Sequence, residues 1–442
     1  MVVHRGCEMG DDMRAAIVRL TFGTLVAAVV ALTLTAFGCA SARQPARSAV
    51  PAVPAAPIAA PASPEPSGLS GAAAVNAFGL DLMRARLASG TASENVVLSP
   101  LSVHAALSMT LQGARGKTAA EMQRMLHLSG DATAAASTYV MLLSALNDRS
   151  KAQTLTVANA LWIDQNLQVK REFLNANRIG LGATAHTLDF RRDDVVGTVN
   201  KWVADNTNGM IKELIDRVDP DAVLLLTDAV YFKARWTREF DSRETHAQSF
   251  HPESEKPVTV PMMHATEPLP VVRTTTFSAT KLEYFGGDSA AYVILPDKAH
   301  HLDDVVSGLT PTDFATLRER LDSAPLTETT LALPKFDTTV GGEIGPTLQT
   351  MGMPTAFDPL KADFSGMATG RLSIDSVIHK ARLKVNESGT EAAAATEVGM
   401  RKGYAPVDPP NFTCDRPFAF AIVDTKTGAL LFLSAIRNPT AQ

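Results

Sequence analysis

The chain has 442 residues, 45% of them apolar, enough for a sizeable core and, by length alone, for two or three domains. A formal charge of −5 with no dense Lys/Arg block argues against nucleic acid as a partner. Two of the three cysteines precede the globular part, and Cys414 alone excludes a disulfide framework there.

Arg14 and Arg19 lead into the apolar run Leu20 to Phe37, followed by Gly38-Cys39-Ala40-Ser41. That is the basic, apolar and small-residue order of a secretory signal. Asp11 and Asp12 fit a basic leader poorly, so Met13 competes with Met1 as the start. Gly38-Cys39 resembles a bacterial lipoprotein cleavage site with Cys39 as the lipidated first residue, although Ala36 and Phe37 stand where Leu and a small residue are commoner. Two alternatives stay open: ordinary cleavage near Ala40 or Ala42 with release of the protein, and an uncleaved transmembrane anchor. The Ala/Pro/Ser tract Gln44 to Ser67 buries little and favours extended, polyproline-like chain, a tether holding the folded part off a membrane. The expected organisation is a signal over 1–39, a tether over 40–68 and one large domain over 69–442.

Within that domain Gly71 to Leu87 and Pro100 to Leu111 have helical periodicity, the second with Ser99 as N-cap and Pro100 at the first helical position. Further helices are expected over Glu121 to Leu126, Ala132 to Leu146, Val196 to Asn206 and Leu302 to Leu309. Strands are expected over Leu155 to Ile163, Val223 to Phe232, Ala291 to Leu295, Thr329 to Leu333, Arg382 to Val385, Phe418 to Val423 and Ala429 to Ile436. Asp424-Thr425-Lys426-Thr427-Gly428 reads as a hairpin turn.

The most telling stretch is Glu387-Ser388-Gly389-Thr390-Glu391-Ala392-Ala393-Ala394-Ala395-Thr396. Read with period two, Thr390, Ala392, Ala394, Thr396, Val398 and Met400 share one face, while Glu391, Glu397 and Arg401 fall on the other. That is a strand with one buried face, yet it runs into Arg401-Lys402-Gly403-Tyr404 and Ala405 to Pro410, which read as exposed loop. A segment able to be loop or strand is a switch candidate, because small side chains enter a sheet without overpacking. The plain alternative is an alanine-rich helix or linker.

No G-x-S-x-G elbow, HExxH, paired CxxC, Walker loop or Rossmann fingerprint is present, so no enzyme is expected. His104, His264, His300 and His301 read as surface or locally bonded rather than as metal ligands, and neither metal nor cofactor is expected.

The hinge-like stretch resembles that of inhibitory serpins, and similar motifs follow in family order along the chain. They include Asn95-Val96-Val97-Leu98-Ser99-Pro100-Leu101-Ser102, Asn159-Ala160-Leu161-Trp162, Asp228-Ala229-Val230-Tyr231-Phe232-Lys233-Ala234-Arg235-Trp236, Leu333-Pro334-Lys335-Phe336, His379-Lys380-Ala381 and Arg416-Pro417-Phe418-Ala419-Phe420. The resemblance implies an α+β serpin fold, with three β-sheets, about eight or nine helices and an exposed reactive loop over about 387–410. It further implies a monomer that traps a serine protease, or a cysteine protease, as an acyl-enzyme while the cleaved loop enters the central sheet. A serpin-fold surface lipoprotein that binds or scaffolds without inhibiting is the alternative.

Family spacing puts the scissile bond at Gly403-Tyr404, whereas chemistry favours Lys402-Gly403 or a bond after Arg401, each suited to a trypsin-like pocket. Residues matching Ser99, Ser102 and His379 form, in serpins, a hydrogen-bonded cluster beneath the sheet opening. Asp228 stands there in place of the usual Asn. A buried carboxylate needs a charged or proton-donating partner, which His379 would supply, so sheet opening is expected to respond to pH.

Overall fold

The computed structural model describes residues 71–90, 93–129, 141–143, 145–146, 152–180, 184–253, 255–390 and 409–441. The expected leader, the tether and Cys39 lie outside the described residues.

The six-stranded sheet runs edge to edge through β11 (Phe336–Glu343), β13 (Ser376–Asn386), β14 (Gly389–Thr390), β5 (Leu224–Arg235), β2 (Gln153–Asp164) and β4 (Thr184–Leu188). A second sheet runs through β1 (Val96–Leu98), β17 (Leu430–Ile436), β16 (Phe418–Asp424), β9 (Ser289–Pro296), β8 (Phe277–Glu283) and β7 (Val258–Arg273). It continues through β7 into a third sheet of β6 (His246–Phe250), β7, β10 (Leu326–Pro334) and β15 (Asn411–Thr413). Strand β7 pairs with β10 over Met262 to Pro270 and with β8 over Val271 to Arg273, so these two sheets share one hydrogen-bonded ladder of nine strands. A short pair, β3 (Gln168–Val169) with β12 (Ala368–Thr369), stands apart.

Alternation makes β13 a one-sided strand. Val377, His379, Ala381, Leu383 and Val385 are buried, and Lys380, Arg382 and Lys384 line the other face. Strands β16 and β17 are buried throughout, as apolar runs without alternation require. Their turn closes where expected: Gly428 takes a positive φ of 75° and Asp424 accepts the Thr427 N–H.

The helices with defined bounds are α1 (Gly71–Ser89), α2 (Pro100–Leu111), α3 (Gly116–Met125), α4 (Arg171–Gly180), α5 (Val195–Asn206), α6 (Leu302–Gly308), α7 (Pro311–Ser323) and α8 (Gly345–Thr350). The fold is thus α+β. Helix α2 starts at Pro100 with the Ser99 side chain accepting the Ser102 N–H, and every one of its residues is buried. Helix α5, capped by Asp194, packs Val195, Val199 and Val203 against Ala158, Ala160, Trp162, Leu225 and Ala229 on one face of the six-stranded sheet.

Helices α4, α7 and α8 are additional to those expected, and two of the expected ones differ in extent. The one expected from Glu121 begins at Gly116, because Thr118 finds a buried site that outweighs its weak helix propensity. Of the one expected over Ala132 to Leu146, residues 141–143 and 145–146 are helical and the remainder lies outside the described residues.

Candidate functional site

Strands β13 and β5 run parallel and pair directly from Ser376 with Leu225 to Ala381 with Val230. Further along, the two are held apart by β14. Its Thr390 pairs with Val385 on one side and Ala234 on the other, and Gly389 pairs with Asn386 and Arg235. The sheet is closed at one end and parted at the other by the segment that follows β13.

Gly389 is required at the wedge. Its φ is +147°, and a Cβ there would stand 2.1 Å from the Ala234 carbonyl oxygen. The Thr390 hydroxyl is buried and hydrogen-bonded to the Tyr284 hydroxyl at 2.6 Å. Burial pushes the Tyr284 phenol far up, so it stays neutral. Tyr284 in turn stacks on Trp236, ring centroids 4.4 Å apart.

Trp236 then holds the turn before the wedge: its indole N–H donates to the Asn386 carbonyl and its backbone N–H to that of Ser388, each at 3.0 Å. The Phe240 N–H donates to the Glu387 carbonyl at 2.9 Å. The Glu387 carboxylate meets Lys335 at 2.9 Å and accepts from the Thr245 hydroxyl. Burial alone would raise that carboxyl, but hydrogen bonds from Lys335, its own backbone N–H and Thr245 outweigh it and hold it below the usual range.

At the closed end, Ser99, Ser102, Asp228 and His379 come together. The Ser99 N–H donates to His379 Nε2 at 3.2 Å, and His379 Nδ1 lies 2.8 Å from Asp228 Oδ1. A backbone amide only donates, so Nε2 is the acceptor and the ring proton sits on Nδ1. His379 is therefore a neutral donor to Asp228, the second of the two partner types expected. Asp228 is 1% exposed, and its Oδ2 has no hydrogen-bond partner among the described residues. Ser102 Oγ donates to Asn159 Oδ1, whose amide donates back to the Ser102 carbonyl.

The trio Asp228, His379 and Ser99 has the chain of contacts of a hydrolase triad but not its chemistry. Nε2 faces an amide, while Ser99 Oγ is engaged by the Ser102 N–H. Three of the four histidines expected to be surface or locally bonded have local partners: His104 bonds the Leu126 carbonyl, His264 the Glu244 carbonyl and His301 the Glu253 carboxylate.

Of the hinge residues, Glu387, Gly389 and Thr390 are placed as above. Glu391, Ala392, Ala393, Ala394, Ala395, Thr396 and the scissile candidates Arg401, Lys402, Gly403 and Tyr404 lie outside the described residues. Tyr284 was not singled out beforehand, and a tyrosine at the end of one strand carries no sequence signal of a partner 106 positions away. Asn159, Trp236 and Lys335 sit in motifs that were recognised, but their contacts with the cluster and the hinge became visible only in three dimensions.

These features define an α+β protein whose six-stranded sheet is parted along its parallel seam by the start of the chain's own next segment. The family model described as Serpin (serine protease inhibitor) matches residues 73–439. The chain is 35% identical over 373 residues to an uncharacterised serpin-like protein of Thermococcus kodakarensis, covering 83% of this chain and 85% of that one. It is 34% identical over 369 residues to a serine protease inhibitor of Mus musculus, covering 80% and 85%. Among solved structures it resembles the native thermophilic serpin tengpin, with a TM-score of 0.76 and 28% identity over 83% of this chain and 93% of that one. Human thyroxine-binding globulin is similar at a TM-score of 0.76 and 28% identity, covering 83% and 98%. The chain belongs to the serpin family.

Proposed function

We propose that this protein is a suicide-substrate inhibitor of a serine protease, exported and held at the cell envelope through Cys39. The observation that supports it most is the wedge itself: Gly389 and Thr390 already pair on both sides within the sheet, and small residues suited to follow them come next. A protease attacks the exposed loop and forms an acyl-enzyme through its own nucleophile. Cleavage frees the loop, which continues into the seam as a full strand and drags the esterified protease with it before water completes hydrolysis. The native state is then kinetically rather than thermodynamically secure.

Continuing the register of β14 gives this strand specific neighbours. Glu391 falls between Lys384 and Lys233 on the exposed face, where opposite charges favour it. Ala392 and Ala394 meet Leu383, Phe232, Ala381 and Val230 on the core face. Thr396 falls between His379 and Asp228, whose bond must part to admit it, and its hydroxyl would supply a donor to the Asp228 carboxylate.

The test mixes the full-length chain with trypsin, chymotrypsin, elastase and subtilisin, followed by denaturing gels and mass spectrometry of the released C-terminal peptide. A covalent complex that survives boiling is expected, and the peptide's first residue identifies the scissile bond. Loop cleavage by all four without a complex would refute trapping of these protease classes. It would favour a binding role such as that of thyroxine-binding globulin, a serpin-fold protein solved in complex with thyroxine.

A further inference from the structure

A concave site of about 340 Å³ opens between Trp236 to Phe240, the Glu267 to Pro270 stretch of β7, β8 and the end of α7. That is the lower end of the ~300–1,000 Å³ typical of small-molecule sites. Its floor is apolar: Trp236, Phe240, Leu269, Leu282 and Leu321 are each buried, while Leu326 at the mouth is 66% exposed. The rim carries the cations Arg238 and Lys281 against the carboxylates Glu267, Glu283 and Asp322.

Lys281 is engaged by Asp322 at 2.8 Å and Glu283 at 3.3 Å. Glu267 is less well met. Its side chain is 14% exposed and faces Arg238 at 3.5 Å, whose own side chain is 47% exposed. Burial pushes the Glu267 carboxyl above its ordinary range despite the pull of Arg238.

We propose that this cleft binds a small organic cation, a flat apolar body on the floor with one ammonium group paired to Glu267. Occupancy has a route to the hinge, because two floor residues bond it directly: Trp236 to Asn386 and Ser388, Phe240 to Glu387. A ligand packed against Trp236 and Phe240 as they stand favours this position of the hinge by its differential affinity for it, and so slows further entry of the loop. This second half rests on the loop-insertion mechanism proposed above.

The full-length chain is titrated by calorimetry with tryptamine and with indole-3-propionate, the same ring bearing opposite charges. Tryptamine is expected to bind about tenfold more tightly, a difference of about 1.4 kcal/mol. Glu267→Gln should abolish that preference. Leu326→Ser, at an exposed position that leaves the fold intact, should weaken both probes by about threefold or more. Equal affinity for the two probes, absence of binding, or a Glu267→Gln protein that binds tryptamine unchanged overturns the site.

Coupling is read separately, without protease, from uptake of a synthetic peptide spanning Thr390 to Met400 into the sheet on native gels. Saturating tryptamine should slow uptake by about fivefold or more. Unchanged uptake overturns the coupling. Absence of uptake with and without tryptamine overturns loop insertion and the coupling with it, while calorimetry decides the cleft independently.

Discussion

Replacing Asp228 by Asn tests what holds the seam shut. Asp228 is 1% exposed, accepts one hydrogen bond at 2.8 Å from the neutral imidazole of His379, and leaves Oδ2 unpartnered among the described residues. The amide keeps the acceptor at the same place and exchanges a buried charged orphan for a neutral one. An unsatisfied neutral polar group costs about 1–3 kcal/mol and a charged one more, so the closed sheet should gain about 2 kcal/mol. In the proposed mechanism opening admits a strand, which doubles a spacing of about 4.8 Å between β5 and β13 and breaks the His379 bond. Most of the gain therefore appears in the barrier, and about 2 kcal/mol corresponds to roughly thirtyfold in rate.

The assay is the half-life of native monomer at a fixed elevated temperature, followed on native gels, with thermal unfolding as a second readout. The half-life should lengthen roughly thirtyfold, while the midpoint rises only about 2–3 °C because a domain of this size unfolds with a large entropy. An equal or shorter half-life for Asp228→Asn would refute the account of the orphan carboxylate. Repeating the measurement at pH 5 and 8 separates charge from shape, since identical pH profiles for the two proteins would rule out the expected pH response.

Gly389→Ala should drive the hinge out of the sheet, at about 1–3 kcal/mol for a Cβ 2.1 Å from the Ala234 oxygen at positive φ; faster hydrogen exchange at the Thr390 amide reports it, and unchanged protection would contradict it. Thr390→Arg puts a guanidinium where a buried hydroxyl meets Tyr284, at several kcal/mol, and under the proposed trapping mechanism should shift the outcome from complex to cleaved chain; a stoichiometry of inhibition equal to the wild type would count against insertion. Lys335→Met removes the partner of Glu387 and should shorten the native half-life by a fewfold, about 0.5–1 kcal/mol for a half-buried pair; no change would mean that Thr245 and the backbone suffice.

Burial pushes His104 down to about 4. Since the unfolded chain protonates near 6.5, this group's contribution is complete above that pH and is lost as pH falls towards 4, by up to about 3 kcal/mol. Urea titrations between pH 7 and 4.5 should show a steeper loss in the wild type than in His104→Gln, and parallel losses would refute the assignment.

Elements whose pattern and caps coincide were legible from sequence: α2 runs over the expected Pro100–Leu111 behind Ser99, and the β16–β17 hairpin closes at Gly428. Strand β7 was not, because Pro261, Pro268 and Pro270 signal loop. It forms because both neighbours supply apolar cover and pairing that local propensity does not anticipate. Edge strand β11 hides behind Gly341 and Gly342. Helix α7, absent from the expected elements, carries readable signals nonetheless: Thr310 and Asp313 as a capping box, and Phe314, Leu317 and Leu321 on one face. In the site, Ser99, Ser102, Asp228 and His379 were named together, but the orphan oxygen of Asp228 and the tautomer of His379 depend on distances that no spacing encodes.

Strands β16 and β17 stand inside the second sheet, and β1 joins it by pairing Val96, Val97 and Leu98 with Ala435, Ser434 and Leu433. Contacts between such distant positions form late. This sheet is therefore complete only when segments from opposite ends of the folded part have met, a long-range closure that comes slowly beside the formation of local helices such as α2.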